Sequence, residues 1–426
     1  MIKKTHILDD KAMKRSQLMY IFEAALEYLI SILVSGSFLA TITKELGIPD
    51  SLTGILSSIV SLGCLFQLSS MLYRKARVKR LVVTISIINQ LLFMALYVIP
   101  LLGGHKPVKI TAFVIAIVSA YALYYFVHPK KISWLMSLVD DKKRGVFTAN
   151  KERFSLLTGI GFSFGMGALI DYFSEQGQLR IAFAICAVVI SVLMVLHTLT
   201  MLFAVEKEPQ TTEEHSFRDS LKQLLRNKKI LSVTAVFTLY YVSNYISIPY
   251  YGTYLNGELG LSLKYISAIG ICGNIVYILI AQLWGRYADK TSFASMVEKG
   301  FLVVALSQLC VVFANPETGE VMFLLYYIFN AIGVAGVNSA LINMVFDYAP
   351  PEQRADSLAV VQAIIGLAGF LATLCVSPLV AYIQANGNVF LGIPIYAQQL
   401  ITIPSVIISV IGSLFVRFVF RKKTER

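Results

Sequence analysis

The sequence contains twelve apolar runs that are each long enough to cross a lipid bilayer, and this feature most restricts its possible folds. A helix needs about 20 predominantly apolar residues to span the hydrocarbon. Short polar segments with turn signals such as "GIPD", "SEQGQ" and "NPETGE" separate the runs. We therefore predict an all-α membrane protein whose twelve transmembrane helices lie approximately at residues 17–42, 51–73, 81–102, 109–138, 146–173, 180–204, 230–255, 265–285, 293–313, 321–346, 357–383 and 398–419.

The composition agrees with a chain that mostly avoids water. The sequence is 56% hydrophobic and only 15% charged, whereas a soluble domain has roughly a quarter of its residues charged. Its net charge of +12 is best explained by basic residues that flank membrane spans, because no basic cluster is interleaved with aromatic residues in a polar segment. The five cysteines lie in apolar runs without metal-binding or disulfide spacing. We predict no nucleic-acid partner, no metal and no cofactor.

The distribution of basic residues predicts the orientation of the chain. If both termini lie in the cytoplasm, the inner loops and termini carry 30 of the 37 lysine and arginine residues, and the outer loops carry 5. Basic residues are enriched on the cytoplasmic side of membrane proteins. We therefore expect a multi-pass protein of the plasma or inner membrane with both termini cytoplasmic.

One long charged connection divides the chain into six plus six helices. It covers residues 206–229, which leaves a first bundle at 1–205 and a second at 230–426. The two halves echo each other, because Arg144 follows the fourth predicted helix and Arg354 follows the tenth, in similar acid-to-basic turns. We predict two pseudo-symmetric six-helix bundles, an organisation typical of secondary transporters.

Three short motifs resemble the major facilitator superfamily. "GRYADKTS" (285–292) fits that family's inner-loop pattern, and "RGVFTANK" (144–151) and "PPEQRADSLA" (350–359) resemble its turns before helices 5 and 11. The resemblance implies that Asp289, Lys290, Arg144 and Arg354 form gating contacts between the inner ends of the helices. The alternative is a solvated loop that only sets topology. The first-half copy, "SSMLYRKARVKR", departs from the pattern, because basic residues stand where the family has its aspartate.

Ionisable residues inside the apolar runs are the main candidates for a functional site. Glu23 and Glu27 lie one turn apart in the first run, and the fourth contains His128, Lys130 and Lys131. At ~1.5 Å per residue these acids and bases reach similar depths. Resemblance to the family places helices 1, 4, 7 and 10 around the central cavity. Because an unpaired charge at mid-bilayer costs about 2.5–3.5 kcal/mol or more, we predict an ion pair between Glu27 and a lysine of helix 4.

The residues leave three interpretations of this pair open. In the first, Glu27, or Glu23, carries a proton whose binding changes as the cavity opens and closes. In the second, the lysines bind an anionic substrate and Glu27 is their partner when the site is empty. In the third, the pair only joins two helices of the first bundle.

The second half offers polar groups without charge. Tyr240, Tyr241 and Asn244 lie near the middle of the seventh run, and Asn338 lies in the tenth. They are candidates to line a substrate cavity. The alternatives are that tyrosines anchor the membrane interface and that asparagines join helices.

These features favour a monomeric secondary transporter that moves a small solute across the bilayer by alternating access, coupled to protons through Glu27. A lipid-modifying enzyme would need a His/Asp/Glu constellation at the membrane interface. The sequence shows no such constellation, so we do not expect an enzyme. A substrate-sensing or scaffold protein on a transporter fold is the other alternative, because the first-half loop departs from the family pattern.

Overall fold

The computed structural model describes residues 10–69, 78–139, 144–206, 226–349 and 354–420. In its first half, the helices are α1 (Asp10–Leu33), α2 (Gly36–Leu46), α3 (Asp50–Ser69), α4 (Lys79–Val98), α5 (Lys106–Met136), α6 (Arg144–Glu175) and α7 (Leu179–Phe203). In its second half, they are α8 (Lys228–Tyr245), α9 (Leu263–Lys290), α10 (Phe293–Val312), α11 (Gly319–Tyr348), α12 (Arg354–Ala385) and α13 (Ala397–Phe420). Short helical turns continue α8 through Ile248–Tyr250, Tyr251–Thr253 and Tyr254–Glu258. A two-residue hairpin, β1 (Val389–Phe390) and β2 (Ile393–Pro394), joins α12 to α13.

The predicted all-α membrane class is confirmed, and the helix count agrees closely with the prediction. Within the described residues, eleven helices are long and apolar enough to cross a membrane. The remaining predicted span, 51–73, coincides with α3 up to Ser69, and its last residues lie outside the described ranges.

The first predicted span, 17–42, was expected to be one helix, and the structure corrects this. The helix is interrupted between α1 and α2, where Ser35 is extended at φ −137° and Gly36 has φ +53°. A positive φ is costly for residues with a Cβ and open to glycine. Ser35 and Gly36 therefore end α1 and begin α2 within an otherwise apolar run.

The helices group into two compact units. Helices α1 and α4 to α7 belong to the first, whereas α2, α3 and α8 to α13 belong to the second. The domain boundaries proposed from the sequence, 1–205, 206–229 and 230–426, stay a prediction. Most of the proposed linker lies outside the described residues.

In the first unit, α1 packs on α6 and α7, and α4 packs on α5 and α7. Polar side chains join these helices internally: Tyr97 donates a hydrogen bond to the Leu33 carbonyl oxygen (2.6 Å), and Asn89 donates one to the Ala120 carbonyl oxygen (2.7 Å). Such bonds satisfy backbone and amide groups that cannot reach water in a bilayer. This packing fixes α1, α4, α5 and α7 around one another, and these four helices carry the site described below.

In the second unit, α2 and α3 pack closely on helices of the chain's second half. A Cβ on Gly252 would lie 2.8 Å from the Gly36 carbonyl oxygen, so only glycine permits this approach. Ser61 of α3 donates to the Gly366 carbonyl oxygen (2.8 Å), and the Gln384 amide donates to Asp50 (2.8 Å). Short-range contacts therefore hold the α2–α3 segment to α12 and to the turns that follow α8.

The core of the second unit is formed mainly by α8 and α10 to α13. One face of α13 is polar although it is buried, and it carries Gln398, Thr402, Ser405, Ser409 and Ser413. The spacing of these residues places them on one side of the helix. Ser409 pairs with Ser243 of α8 at 2.8 Å and donates to the Gln308 oxygen of α10 at 2.9 Å.

Candidate functional site

The first unit contains a buried cluster of charged groups that begins with two glutamates of α1. Glu23 and Glu27 are four residues apart, so their side chains share one face of the helix. The Glu23 side chain is 2% exposed and that of Glu27 is 20% exposed. Glu27 is therefore the more accessible of the two carboxylates.

Helix α5, which corresponds to the fourth predicted span, supplies the cation that pairs with both carboxylates. The Lys131 Nζ lies 2.8 Å from Glu23 Oε1 and also contacts Glu27 Oε2. Its side chain is only 4% exposed. Of the two adjacent lysines predicted from the sequence, Lys131 is thus the one that meets the glutamates. Lys130 is half-buried and makes other interactions.

Helix α7 adds His197, a residue that the sequence analysis did not select. Its Nε2 lies 3.1 Å from Glu23 Oε1 and 3.6 Å from Glu27 Oε2, and the side chain is fully buried. Its Nδ1 lies 2.9 Å from the Gln90 amide nitrogen of α4. The available signal was a single histidine in the middle of the apolar run "VLMVLHTLTML", because ionisable residues in spans are usually functional.

Aromatic residues of α5 complete one wall of the cluster. The Tyr124 hydroxyl donates to Glu27 Oε1 at 3.1 Å, and its ring lies 5.8 Å from the Lys131 Nζ. The His128 ring lies against Tyr124 at 4.9 Å. His128 Nδ1 is buried and has no hydrogen-bond partner among the described residues. The predicted His128 is therefore a neighbour of the cluster through Tyr124.

The cluster has an unbalanced charge. With a neutral imidazole, two carboxylates and one ammonium give a net charge of −1. A net charge inside a bundle is costly, since burial removes the hydration of each ion. Uptake of one proton by a carboxylate or by His197 would make the cluster neutral. Its chemistry is therefore that of a site that can bind one proton or one small cation.

The same groups offer the only arrangement of metal-ligand atoms that the described residues bring together. One atom each from Glu23, Glu27 and His197 lies within 4.8 Å of the others. The Lys131 ammonium, however, already contacts both carboxylates. A metal ion would have to displace this resident cation, and the absence of a metal site stays a prediction.

The candidate residues of the second half lie on α8 and α11, in the second unit. Tyr240 is buried against Phe301, with ring centroids 5.7 Å apart, and Asn244 donates its amide to the Tyr240 carbonyl oxygen at 2.8 Å. Tyr241 stacks on Tyr245 at 5.7 Å. Asn338 is exposed. Packing within the unit accounts for Tyr240, and the cavity role of Tyr241, Asn244 and Asn338 stays a prediction.

The predicted gating residues lie at helix ends. Asp289 and Lys290 are exposed in the last turn of α9, and Ser292 caps α10 by accepting the Ser295 N–H at 3.1 Å. Arg144 begins α6 and Arg354 begins α12, but their side chains lie outside the described residues. The motif thus ends one helix and begins the next, and its gating contacts stay a prediction.

Comparison with known proteins supports the fold. The sequence model of the Major Facilitator Superfamily matches residues 18–373 and 233–425. No curated protein sequence matches the chain.

Several solved structures are similar in fold. One is a mutant of the nucleoside transporter NupG, with a TM-score of 0.69 and 14% identity over 95% of this chain and 100% of that chain. A D-xylose–proton symporter has a TM-score of 0.68 and 15% identity over 95% of this chain and 97% of that chain. A bacterial homologue of the human lysosomal transporter Spinster has a TM-score of 0.67 and 13% identity, covering 95% of each chain. At such identities the likeness shows the fold alone.

Proposed function

This chain belongs to the major facilitator superfamily, and we propose that it is a secondary active transporter that moves a small solute by alternating access and is coupled to protons through Glu27. The observation that carries the proposal is the buried cluster of Glu23, Glu27, Lys131 and His197 inside three apolar helices. Charges in spans cost about 2.5–3.5 kcal/mol or more and mark ion or substrate pathways. A protein with no use for them would be more stable without them.

Glu27 is our choice for the coupling residue because it combines two properties. It contacts Lys131 and Tyr124 within the cluster, and its side chain keeps 20% of its surface exposed. A proton carrier needs both an internal partner and access to water. Glu23 has the partners but only 2% exposure.

The two other interpretations make different demands on Lys131. An anionic substrate bound by this lysine would have to displace two carboxylates from an ammonium that is 4% exposed. This arrangement makes an anion site less favourable than proton coupling. A purely structural pair would leave transport unchanged when Glu27 loses its charge, so the experiment below separates it from coupling.

We also propose that the protein acts as a monomer in the plasma or inner membrane with both termini in the cytoplasm. The support for this orientation is that predicted inner segments hold 30 of the 37 basic residues. The protein is an integral multi-pass membrane protein of a transporter family, and we propose that it is not an enzyme.

The experiment begins with a search for a substrate. Purified protein is screened by thermal shift against nucleosides, pentoses, hexoses, short peptides and organic cations, a panel that includes solutes named for proteins of similar fold. A solute that raises the unfolding temperature is then tested for uptake into proteoliposomes with an imposed pH gradient. We expect accumulation that collapses when a protonophore removes the gradient.

Glu27→Gln tests the coupling residue, and Glu320→Gln, an exposed glutamate in the first turn of α11, is its matched control. We expect Glu27→Gln to lose gradient-driven accumulation while it still exchanges labelled for unlabelled solute. Full accumulation in Glu27→Gln would show that coupling does not pass through this residue. If the wild-type protein moves none of the solutes that bind to it, the transport proposal is wrong.

A further inference from the structure

Gln90 of α4 lies behind the charged cluster, on the far side of the His197 ring from the glutamates. Its Nε2 is 2.9 Å from His197 Nδ1, while its Oε1 is buried and has no hydrogen-bond partner among the described residues. Both side chains are almost fully buried, with 2% of Gln90 and none of His197 exposed. A buried amide oxygen without a partner is destabilising, so its position calls for an explanation.

Two orientations of this amide correspond to two forms of the imidazole ring. In the orientation observed, Gln90 Nε2 donates to Nδ1, which must then be unprotonated. The ring is neutral in this form and donates its Nε2–H to Glu23, 3.1 Å away. When the amide turns by about 180°, its oxygen faces Nδ1 and can accept an Nδ1–H, which an imidazolium supplies.

Nothing among the described residues holds the other end of the amide in one orientation. Gln90 makes one hydrogen bond through Nε2 as observed, and it would make one through Oε1 after turning. The neighbouring Asn89 is different, because its amide donates to the Ala120 carbonyl oxygen of α5 at 2.7 Å. Gln90 can therefore follow the ring's protonation, whereas Asn89 binds the backbone.

The charge of the cluster gives the ring a reason to bind a proton. Two carboxylates and Lys131 leave a charge of −1, and an imidazolium at His197 brings it to zero. Imidazole is the side chain that ordinarily changes charge between about pH 5 and 8. His197 is also the group that reaches both carboxylates and a polar partner on a third helix.

We propose that the cluster holds one exchangeable proton, that His197 is where it rests, and that Gln90 is a positioning residue that stabilises each form of the ring by turning its amide. This inference deepens the proposed function, on which its role in transport rests. In this scheme the stored proton lies on Nδ1, the ring nitrogen that faces Gln90, and Glu23 and Glu27 both stay ionised.

The proton balance is simple. Uptake of one proton from a hydronium ion breaks one of its O–H bonds and leaves a water molecule, while one N–H bond forms at Nδ1 and the charge of the cluster rises from −1 to zero. The Nε2–H stays donated to Glu23 in both forms. Release returns the same proton to water and the amide to the observed orientation.

Other titratable groups lie near the cluster and would also respond to pH. Tyr124 and His128 face it from α5, and Tyr20 lies on α1 one turn before Glu23. Lys151 of α6 lies 5.2 Å from the Tyr20 ring, and Glu152 follows it. The measurement must therefore observe the His197 ring itself.

The test is nuclear magnetic resonance of protein labelled with nitrogen-15 in histidine and held in lipid nanodiscs. The sequence has five histidines, and the signal missing from His197→Gln assigns the ring. We expect neutral His197 protonated on Nε2 on the alkaline side, and an imidazolium with two N–H groups on the acidic side, between about pH 5 and 8. A ring that stays neutral through this range in wild-type protein would overturn the proposal.

Gln90→Met tests the positioning role, and Asn89→Leu on the same helix is the matched control. Gln90→Met removes a hydrogen bond from both forms of the ring, but the bond to the charged imidazolium is roughly twice as strong as the bond to the neutral ring. The ratio of imidazolium to neutral ring at the wild-type midpoint should therefore fall roughly five- to tenfold in Gln90→Met and stay unchanged in Asn89→Leu. Equal titration in all three proteins would exclude Gln90 from the mechanism.

A second variant covers the case in which Gln90→Met does not fold. Gln90→Glu places an acceptor at the same position, so the ring should carry an Nδ1–H throughout the range of about pH 5 to 8. A neutral ring protonated on Nε2 in this variant would contradict the proposal. The measurement needs no substrate. If His197 titrates but the protein moves no solute, only the transport proposal is wrong. If a pH gradient drives solute flux while His197 does not titrate, only the proposal for His197 and Gln90 is wrong.

Discussion

The two units bury polar groups in different ways. In the first, Glu23, Glu27 and Lys131 are charged and depend on one another. In the second, Ser243, Ser409 and Gln308 are neutral.

The neutral groups form a closed ring of hydrogen bonds. The two hydroxyls are 2.8 Å apart, Ser409 donates to the Gln308 oxygen at 2.9 Å, and the Gln308 nitrogen lies 3.4 Å from the Ser243 hydroxyl. Each member both gives and receives, so the ring needs nothing from outside. The charged cluster carries a net −1 and does not close in this way. We therefore propose that the neutral ring serves packing and that the charged cluster serves binding.

Removal of the resident cation should have the largest effect. Lys131→Met leaves two buried carboxylates without their cation, and breaking a buried ion pair costs about 3–5 kcal/mol. We expect a large fall in the thermal unfolding temperature in detergent micelles. Lys44→Met, at an exposed lysine of α2, is the control and should be close to wild type.

A double variant sharpens this first test. Lys131→Met with Glu23→Gln returns the cluster to the wild-type charge of −1, so we expect it to recover a substantial part of the lost stability. If Lys131→Met alone unfolds at the wild-type temperature, the cluster is not an interdependent set of charges and the comparison fails.

The neutral ring should be more tolerant. Gln308→Leu removes the residue that closes the ring but leaves the two hydroxyls to pair with each other. Polar contacts between helices in membranes are worth up to about 1.7 kcal/mol. We expect a loss of about 1–1.7 kcal/mol in the free energy of unfolding, measured for this variant and for Lys131→Met by denaturant titration in detergent micelles. A loss as large as that of Lys131→Met would make the two regions equivalent.

The smallest effect should come from a single hydroxyl of the same ring. Ser409→Ala removes one donor, and such contacts average about 0.6 kcal/mol in membrane proteins. A double-mutant cycle with Ser243→Ala measures their coupling free energy directly. We expect a coupling below about 1 kcal/mol, whereas the cycle of Lys131→Met and Glu23→Gln should exceed it. The reverse order would refute the distinction between the units.

The sequence was sufficient to predict most of the helices and the similar levels of the charged residues along them. Hydrophobic length defines spans, and the rise per residue places Glu27 and the lysines of α5 at similar levels. It could not choose between Lys130 and Lys131. Successive residues of a helix point about 100° apart, and only the packing of α5 on its neighbours selects the face that meets Glu27.

His197 and Gln90 show a second limit of sequence reasoning. Each lies in its own apolar helix, and nothing within either run identifies the partner on the other. Their meeting depends on how α4 and α7 pack against each other. The break at Gly36 was also missed, because "LVSGSFLA" stays apolar and a lone glycine is tolerated inside a helix pattern.

The buried polar face of α13 has a mechanical consequence. Ser405 bonds to Ser247, Ser409 to Ser243 and Gln308, and Ser413 to the Glu298 carbonyl oxygen, all within the second unit. These bonds tie α13 to α8 and α10 along most of its length, so the three helices resist separation from one another through polar contacts as well as through apolar packing.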